Sequence, residues 1–421
     1  MAGNASFLKS EPTLAWLGQF APEDQPVAAE LLRSMMLVSR DQFSERLRQT
    51  ILKAVEDGGL PVGLYIEREL RHRKGVPHRL FKESKGKVKR AFGVGPPPIK
   101  PTRAFDADVG SEGLVAQIVS ELCREFPKKL FNHPGPDQIR KGSIRRFMLV
   151  TDYIGSGKRA WTYLEAAWRV RSVRSWWSAR ANKGLTFEVI AYAASPSGRS
   201  RVEAHPSQPK VRVAISCPTI RSAFGDDKRV EIRTLCTKYS PIKDLDPLGF
   251  GSVGALIAFA HGVPNNAPPI LFKRSTIWTP LFPARTTSAT RLEFAADDND
   301  IEAIRSRLLS MRQKRLASSN WIGSTNRHAK TVLMVMAALS QRPRHVEAVS
   351  ARTGLTIIEV EQALRRALSH GWIDGRYRLT DDGRQQLIHA RKQEQAISPL
   401  PQEPEEFYYP TSLRVPARVS S

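Results

Sequence analysis

Residues 147–157 read Phe-Met-Leu-Val-Thr-Asp-Tyr-Ile-Gly-Ser-Gly, and no other stretch constrains the fold so strongly. An apolar run leads into Asp152, and a short Gly/Ser turn follows. Lys158-Arg159 then open the run Ala-Trp-Thr-Tyr-Leu-Glu-Ala-Ala-Trp. The order is strand, acid, phosphate-sized loop, helix, which marks an α/β unit. Such a loop can gather backbone N–H groups and a Ser hydroxyl around a phosphate at the helix N-terminus. An acid at the strand end can face a ribose diol or a Mg²⁺ ion. A Walker-type loop does not fit. Asp152 stands where its first glycine would be, and Arg159 where its Ser/Thr would follow the lysine. The residues by themselves also suit a buried strand with an ordinary Gly-rich connector.

The rest of the chain extends this pattern. In residues 1–60, Trp16, Leu17 and Phe20, then Leu31, Leu32, Met35, Met36 and Leu37, then Phe43, Leu47, Ile51 and Ala54 recur at three-to-four spacing. That period predicts a helical N-terminal region. Pro61–Ile66 reads as a short strand. Arg68–Arg90 is strongly basic and ends at the breaker 93–98, so an exposed basic loop or hairpin is expected. Leu114–Phe126 reads as a helix with Asp108 or Ser111 as cap, 147–152 as the loop strand and 158–179 as its helix. Phe187–Tyr192, Val211–Ile215 and Gly254–Ala260 have strand composition. Strands alternating with helices predict an α/β domain over 61–320 with a largely parallel sheet. Ligands of such sheets sit beyond the C-terminal strand ends, where Asp152 to Lys158 fall.

The loop resembles the diphosphoribose-binding loop of type I phosphoribosyltransferases. Their usual form is a strand, two adjacent acids, then small residues with a Thr/Ser-Gly-x-Thr ending. Asp152 matches the second acid, and Ser156-Gly157 match the Ser-Gly pair. Thr151 replaces the first acid and Arg159 the final hydroxyl. Phe250–Leu256, His261–Asn266 and Pro269–Phe272 are similar to the C-terminal signature of the phosphoribosyltransferase-like family of bacterial conflict systems. The Gly110-Ser111-Glu112 turn resembles that family too. The resemblance implies a sheet of phosphoribosyltransferase type and a phosphoribosyl diphosphate or nucleotide ligand with Mg²⁺. It puts Asp152 at the ribose hydroxyls, and makes it the catalytic residue in any transfer. It puts Gly155, Ser156, Gly157 and Lys158 around the phosphate, Arg68 and Arg71 near the diphosphate, and Asn265 and Asn266 near the ligand. Read from the residues alone, Pro264-Asn265-Asn266 is a tight turn.

Residues 321–392 form a second unit. Lys330–Leu339 is an apolar helix, Val346–Ser350 begins a short one, and Thr353-Gly354 makes a turn. Ile358–Ser369 is the next helix, with Val360, Leu364 and Leu368 on one face. Gly371–Leu379 reads as two short strands about a turn, and 380–383 opens a last helix. This is the order of a winged helix-turn-helix, and the ending 377–383 resembles that family. Many winged helices read DNA with the second helix of the turn motif; others pack against protein. Arg365, Arg366, Arg376 and Arg378 are candidate phosphate contacts. The pairing of the two domains resembles effector proteins encoded with some retron reverse transcriptases. That implies an antiphage effector or sensor held by a reverse transcriptase and its RNA–DNA product. A DNA-binding regulator that senses its ligand without turnover fits the same residues, as does a scaffold with a degenerate pocket.

The net charge of +24 favours a polyanionic partner, most simply nucleic acid. No apolar run approaches bilayer length, the start lacks a signal-peptide pattern, and Cys123, Cys217 and Cys236 form no CxxC pair. A reducing cytoplasm is the expected location. The nine histidines show no zinc-type spacing, and no Gly-x-Ser-x-Gly elbow occurs. Trp161, Trp168, Trp176 and Trp177 read as core or interface. Residues 393–421 form a Pro-rich tail whose Phe407-Tyr408-Tyr409-Pro410 cluster suits docking on its own domain or a partner.

Overall fold

The computed structural model describes residues 7–58, 61–99, 111–182, 184–287, 294, 301–319, 321–325 and 327–392. The candidate cap Asp108, the turn residue Gly110 and the tail with its aromatic cluster lie outside these residues.

The N-terminal region divides between two cores. Helices α1 (Glu11–Leu17) and α2 (Gln25–Arg33) pack with helix Asp226–Lys238 and the segment 256–282. Trp16 Nε1 donates to the Ile270 carbonyl at 3.2 Å. The helical period does not continue through Met36 and Leu37. Met36–Val38 is a strand, β1, and the long helix α3 (Arg40–Gly58) follows it.

Five parallel strands make the sheet: β2 (Val62–Ile66), β3 (Leu130–Asn132), β4 (Arg146–Ile154), β5 (Thr186–Ala194) and β6 (Lys210–Ser216). Their spatial order is β6-β5-β4-β2-β3. Leu64, Met148 and Ile190 face α3 and α4 (Glu112–Glu125). Tyr65, Phe147 and Val189 face the opposite layer, with α5 (Lys158–Trp168) and α6 (Pro196–Glu203). Burial on both faces explains why these strands read as nearly continuous apolar runs. The chain runs from β2 outward to β3, then returns past β2 to β4 and continues outward to β6. The strand order therefore reverses between β2 and β4, and a crevice opens at such a switch point beyond the strand ends.

Three local expectations change. The helix expected over 158–179 breaks after Trp168, because Val170 is extended and buried in the core; a second helix, Arg171–Ser178, starts there. The strand expected over Gly254–Ala260 shrinks to β7 (Ile257–Phe259), which pairs in parallel with β1 outside the main sheet. The basic segment folds as two small hairpins, His72–Arg73 with Val76–Pro77 and Lys82–Glu83 with Ala91–Phe92. Cys217 and Cys236 are buried core residues.

The second unit contains α7 (Arg327–Leu339), α8 (Val346–Thr353), α9 (Ile357–Ser369) and α10 (Asp381–Lys392). Gly354 takes φ +68° in the turn, a conformation that suits glycine. Thr356 and Glu359 close a capping box on α9. Val360 and Leu364 are buried as expected, but Leu368 is 47% exposed, and Ala363 and Ala367 complete the inner face. The two wing strands reduce to one bridge, Ile373 with Leu379. The Asp374 carboxylate accepts from the amides of Arg376 and Arg378, which closes the turn and diverts those N–H groups from a ladder.

This unit sits on the edge of the sheet. Helices α8 and α9 lie against β6, and Ile357 packs into the same cluster as Val211 and Val213. The Ser216 amide donates to Ser350 Oγ at 3.4 Å, and Arg199 pairs with Glu347 at 3.3 Å. An edge strand exposes unpaired backbone groups, and covering it with helices removes that hazard. No helix among the described residues is long and apolar enough to cross a membrane.

Candidate functional site

Two carboxylates meet at the switch point. Asp152 lies inside β4, two residues before its end, and Glu67 follows β2 directly. The Glu67 amide donates to the Val150 carbonyl at 2.9 Å, which sets the strand ends side by side. Thr151 fills the place of the family's first acid. Its Oγ1 donates to Glu67 Oε2 at 2.6 Å and lies 3.2 Å from Asp152 Oδ1. A third acid here would crowd like charges; a hydroxyl supplies the donor that a buried carboxyl needs.

The surroundings drive these two carboxyls apart. Burial raises Glu67 to about 7, against the opposing pull of Arg159 and Thr151. Burial also pushes Asp152 upward, but His261, Ser111 and Arg159 outweigh it and hold the carboxyl at about 2. Ser111 makes no side-chain cap on α4; its hydroxyl serves Asp152 instead. His261 Nε2 is 3.8 Å from Asp152 Oδ2, too far for a direct hydrogen bond, so charge attraction to a protonated ring is the main link. The imidazole stacks on Phe259 and meets Phe43 edge-on. Both its ring nitrogens are buried, and neither has a hydrogen-bond partner. Arg159 pairs with Glu112 at 2.5 Å, and its charge is felt by Glu67 and Asp152. The departure from a hydroxyl at 159 therefore places a cation over the acid pair.

The loop is built by close approach. A Cβ on Gly155 would come within 1.9 Å of Asn266 Oδ1. Gly157 takes φ +72° and lies against the Gly198 carbonyl, 2.6 Å from where its Cβ would be. Ser195 Oγ donates to the Gly155 carbonyl at 2.6 Å and accepts from the Gly198 amide. Among the described residues, the N–H groups of Gly155, Ser156 and Gly157 have no acceptor. Amides arranged this way at a helix start form an anion-binding concavity. Lys158 is exposed, with Nζ 5.8 Å from the Phe250 ring centroid.

Asn266, which walls Gly155, is buried and donates its amide to the Phe250 carbonyl at 2.6 Å. Asn265 is exposed and accepts from the Phe250 amide through its backbone. Arg68 follows Glu67 and donates to the Pro97 carbonyl at 2.9 Å. Arg71 is exposed at the base of the first hairpin. Sequence reasoning missed Glu67, His261 and the site role of Arg159. The only signal for Glu67 was an acid immediately after an apolar strand.

Arg365, Arg376 and Arg378 are exposed on the second unit, and Arg366 is half-buried. Arg378 pairs with Asp374 at 2.7 Å. The N-terminal end of α9, which would enter a DNA groove first, is the end packed on β6 through Ile357.

The PRTase-CE family model matches residues 13–284, more than half of the chain. The chain belongs to the PRTase-CE family. A second model, described as wHTH-PRTase associated, matches residues 333–415. A phosphoribosyltransferase-like domain is thus followed by a winged-helix domain of the kind found with it. The PRTase-CE match begins within α1, so α3 and the α1–α2 pair belong to the matched region. No curated protein and no solved structure gives a match to the chain.

Proposed function

We propose that the PRTase-CE domain binds a phosphoribosyl diphosphate or nucleotide in the crevice between β2 and β4. One observation carries this reading: an ionised carboxylate, a carboxyl near neutrality and three amides without acceptors converge at the switch point. Asp152 accepts from the ribose hydroxyls. The amides of Gly155, Ser156 and Gly157, with the Ser156 hydroxyl and Lys158, hold the phosphate, while Arg68, Arg159 and the more distant Arg71 supply charge for a diphosphate. Two carboxyls held far apart in acidity divide base and acid roles. Asp152 is the ionised partner, and Glu67 can give or take a proton near neutral pH. His261 offers a buried, unpartnered ring nitrogen to the ligand or to Asp152.

Among the described residues, no three His, Cys, Asp or Glu side chains form a metal-binding group. Mg²⁺ commonly takes one or two carboxylates and completes its shell with water and phosphate oxygens. Asp152 fits that role for an ion carried by the diphosphate, and the ion would neutralise phosphate charge there.

The paired domains support a role as antiphage effector or sensor, alongside a reverse transcriptase and its RNA–DNA product. A second reading is a ligand-sensing, DNA-binding regulator without turnover. Thr151 and Arg159 favour it, because both depart from the transferase loop, and the exposed arginines of the winged helix suit phosphate contacts. Calorimetry of the full chain with phosphoribosyl diphosphate and Mg²⁺ tests the shared core of both readings. Binding is expected, with a loss of at least about tenfold in Asp152→Ala. Tight binding that Asp152→Ala leaves unchanged would remove the carboxylate from the site. Pyrophosphate release separates the readings: its appearance supports an enzyme, its absence a sensor.

A further inference from the structure

A cavity of about 830 Å³ lies between the α/β domain and the winged helix. Neither Glu67, Asp152 nor Lys158 lines it, so it is distinct from the crevice between β2 and β4. Its volume is that of a nucleotide-sized ligand site.

The lining is unusual in charge. Arg46 of α3, Arg199 of α6, Arg221 of helix Ile220–Ala223, Arg307 of helix Ile301–Ser310 and Arg352 of α8 all reach it. Five separate elements thus point one charge type at one space. The carboxylates in the lining are Glu203 and Glu347, and both bind Arg199, at 2.8 and 3.3 Å. Their charge is offset where they stand and leaves the other arginines in excess. Arg352 is half-buried and donates to the carbonyls of Ala338 and Gln341, at 3.1 and 3.3 Å. Those acceptors are neutral. Burial and neighbouring Arg344 push the Arg352 guanidinium below its usual range, as expected where positive charge is crowded. Tyr192, Met36 and Met311 add an apolar wall on which a ring can lie.

The cavity also touches the machinery of the loop. Ser195 lines it, and the same hydroxyl braces the Gly155 carbonyl. Across from Ser195 lie His345 to Ala348, the entry to α8. A ligand here would contact both the wall of the phosphate loop and the docked winged helix.

We propose that this interdomain cavity is a second ligand site, for a small molecule carrying several phosphates, whose occupancy holds the winged helix on β6. The proposal does not depend on ligand binding at Asp152. It is tested with the full chain in an Asp152→Ala background, which silences the first crevice. ATP and inorganic triphosphate are titrated by calorimetry, and hydrogen exchange is followed over 346–369. The expected results are binding of at least one probe, a loss of at least about tenfold on adding Arg221→Glu, and slower exchange in α8 and α9 when bound. Equal affinity for both probes assigns the site to phosphate alone; tighter ATP binding assigns the apolar wall to the base. Arg221 and Ala223 are exposed, so Ala223→Trp, which fills part of the cavity, serves should Arg221→Glu fail to fold. Absence of binding by both probes in the Asp152→Ala background overturns the proposal. So does binding that Arg221→Glu and Ala223→Trp leave intact.

Discussion

Replacing Glu67 by glutamine should stabilise the α/β domain at neutral pH. The side chain is 5% exposed, and burial raises its carboxyl from 4.5 to about 7. Glutamine keeps the shape and an acceptor for Thr151 Oγ1, and it removes the charge. Below about pH 4.5 the carboxyl is protonated in folded and unfolded chains alike, so parent and variant should match. Between about 4.5 and 7 the unfolded chain releases a proton that the folded chain retains, and the parent loses stability as pH rises. Above about 7 the loss is complete. At about 1.4 kcal/mol per pH unit, the rise from 4.5 to about 7 amounts to about 3 kcal/mol. The attraction of Arg159 for an ionised Glu67 is already contained in that net rise. Urea unfolding at several pH values, followed by tryptophan fluorescence, measures the difference. The variant's advantage should be near zero at about pH 4 and reach about 3 kcal/mol by about pH 8. A difference that is flat across this range, or an advantage that shrinks as pH rises, would refute the account of a buried carboxyl at the switch point.

Four other outcomes follow from the geometry. Gly155→Ala puts a Cβ 1.9 Å from Asn266 Oδ1; thermal unfolding should register a loss of about 1–3 kcal/mol, and ribose-phosphate binding should weaken. Glu188→Gln strips the charge partner from buried Arg146, which it meets at 2.5 Å; denaturant unfolding should show a loss of about 3–5 kcal/mol. Deleting residues 321–421 uncovers β6, and light scattering should detect self-association that the full chain does not show. Nucleic-acid binding should fall steeply with salt, because a chain of +24 releases counterions on meeting a polyanion. In that assay Arg365→Ala with Arg366→Ala should cost roughly 1–3 kcal/mol, and insensitivity to the pair would make the winged helix a protein-docking module.

Features carried by contiguous residues were legible in the chain. The run 147–168 encodes its own strand, glycine turn and helix start, because period and turn chemistry act over a few residues. The winged-helix order was readable for the same reason: Thr356 and Glu359 cap a helix whose inner face repeats on its own period. Even there, local pattern overreached. It continued a helix through Met36 and Leu37, whose strand state depends on pairing with Ile257 and Ala258 far along the chain. It also carried one helix across Val170, where core packing imposes an extended residue.

The sequence by itself determined an α/β domain with a Gly-rich loop after Asp152, followed by a winged helix. Tertiary structure alone decided what surrounds that loop. Glu67 and Thr151 are 84 residues apart, and they meet because the parallel crossover sets β2 beside β4. His261 reaches Asp152 from beyond β7, and the arginines of the interdomain cavity come from five elements. Hydrophobic period tells which face of a strand is buried, but carries no information about which strand lies next to it. Sheet order and the docking of α8 and α9 on β6 arise only when separate faces compete for burial in three dimensions. Those contacts, and with them the acidities of Glu67 and Asp152, therefore belong to the fold and not to any local run of residues.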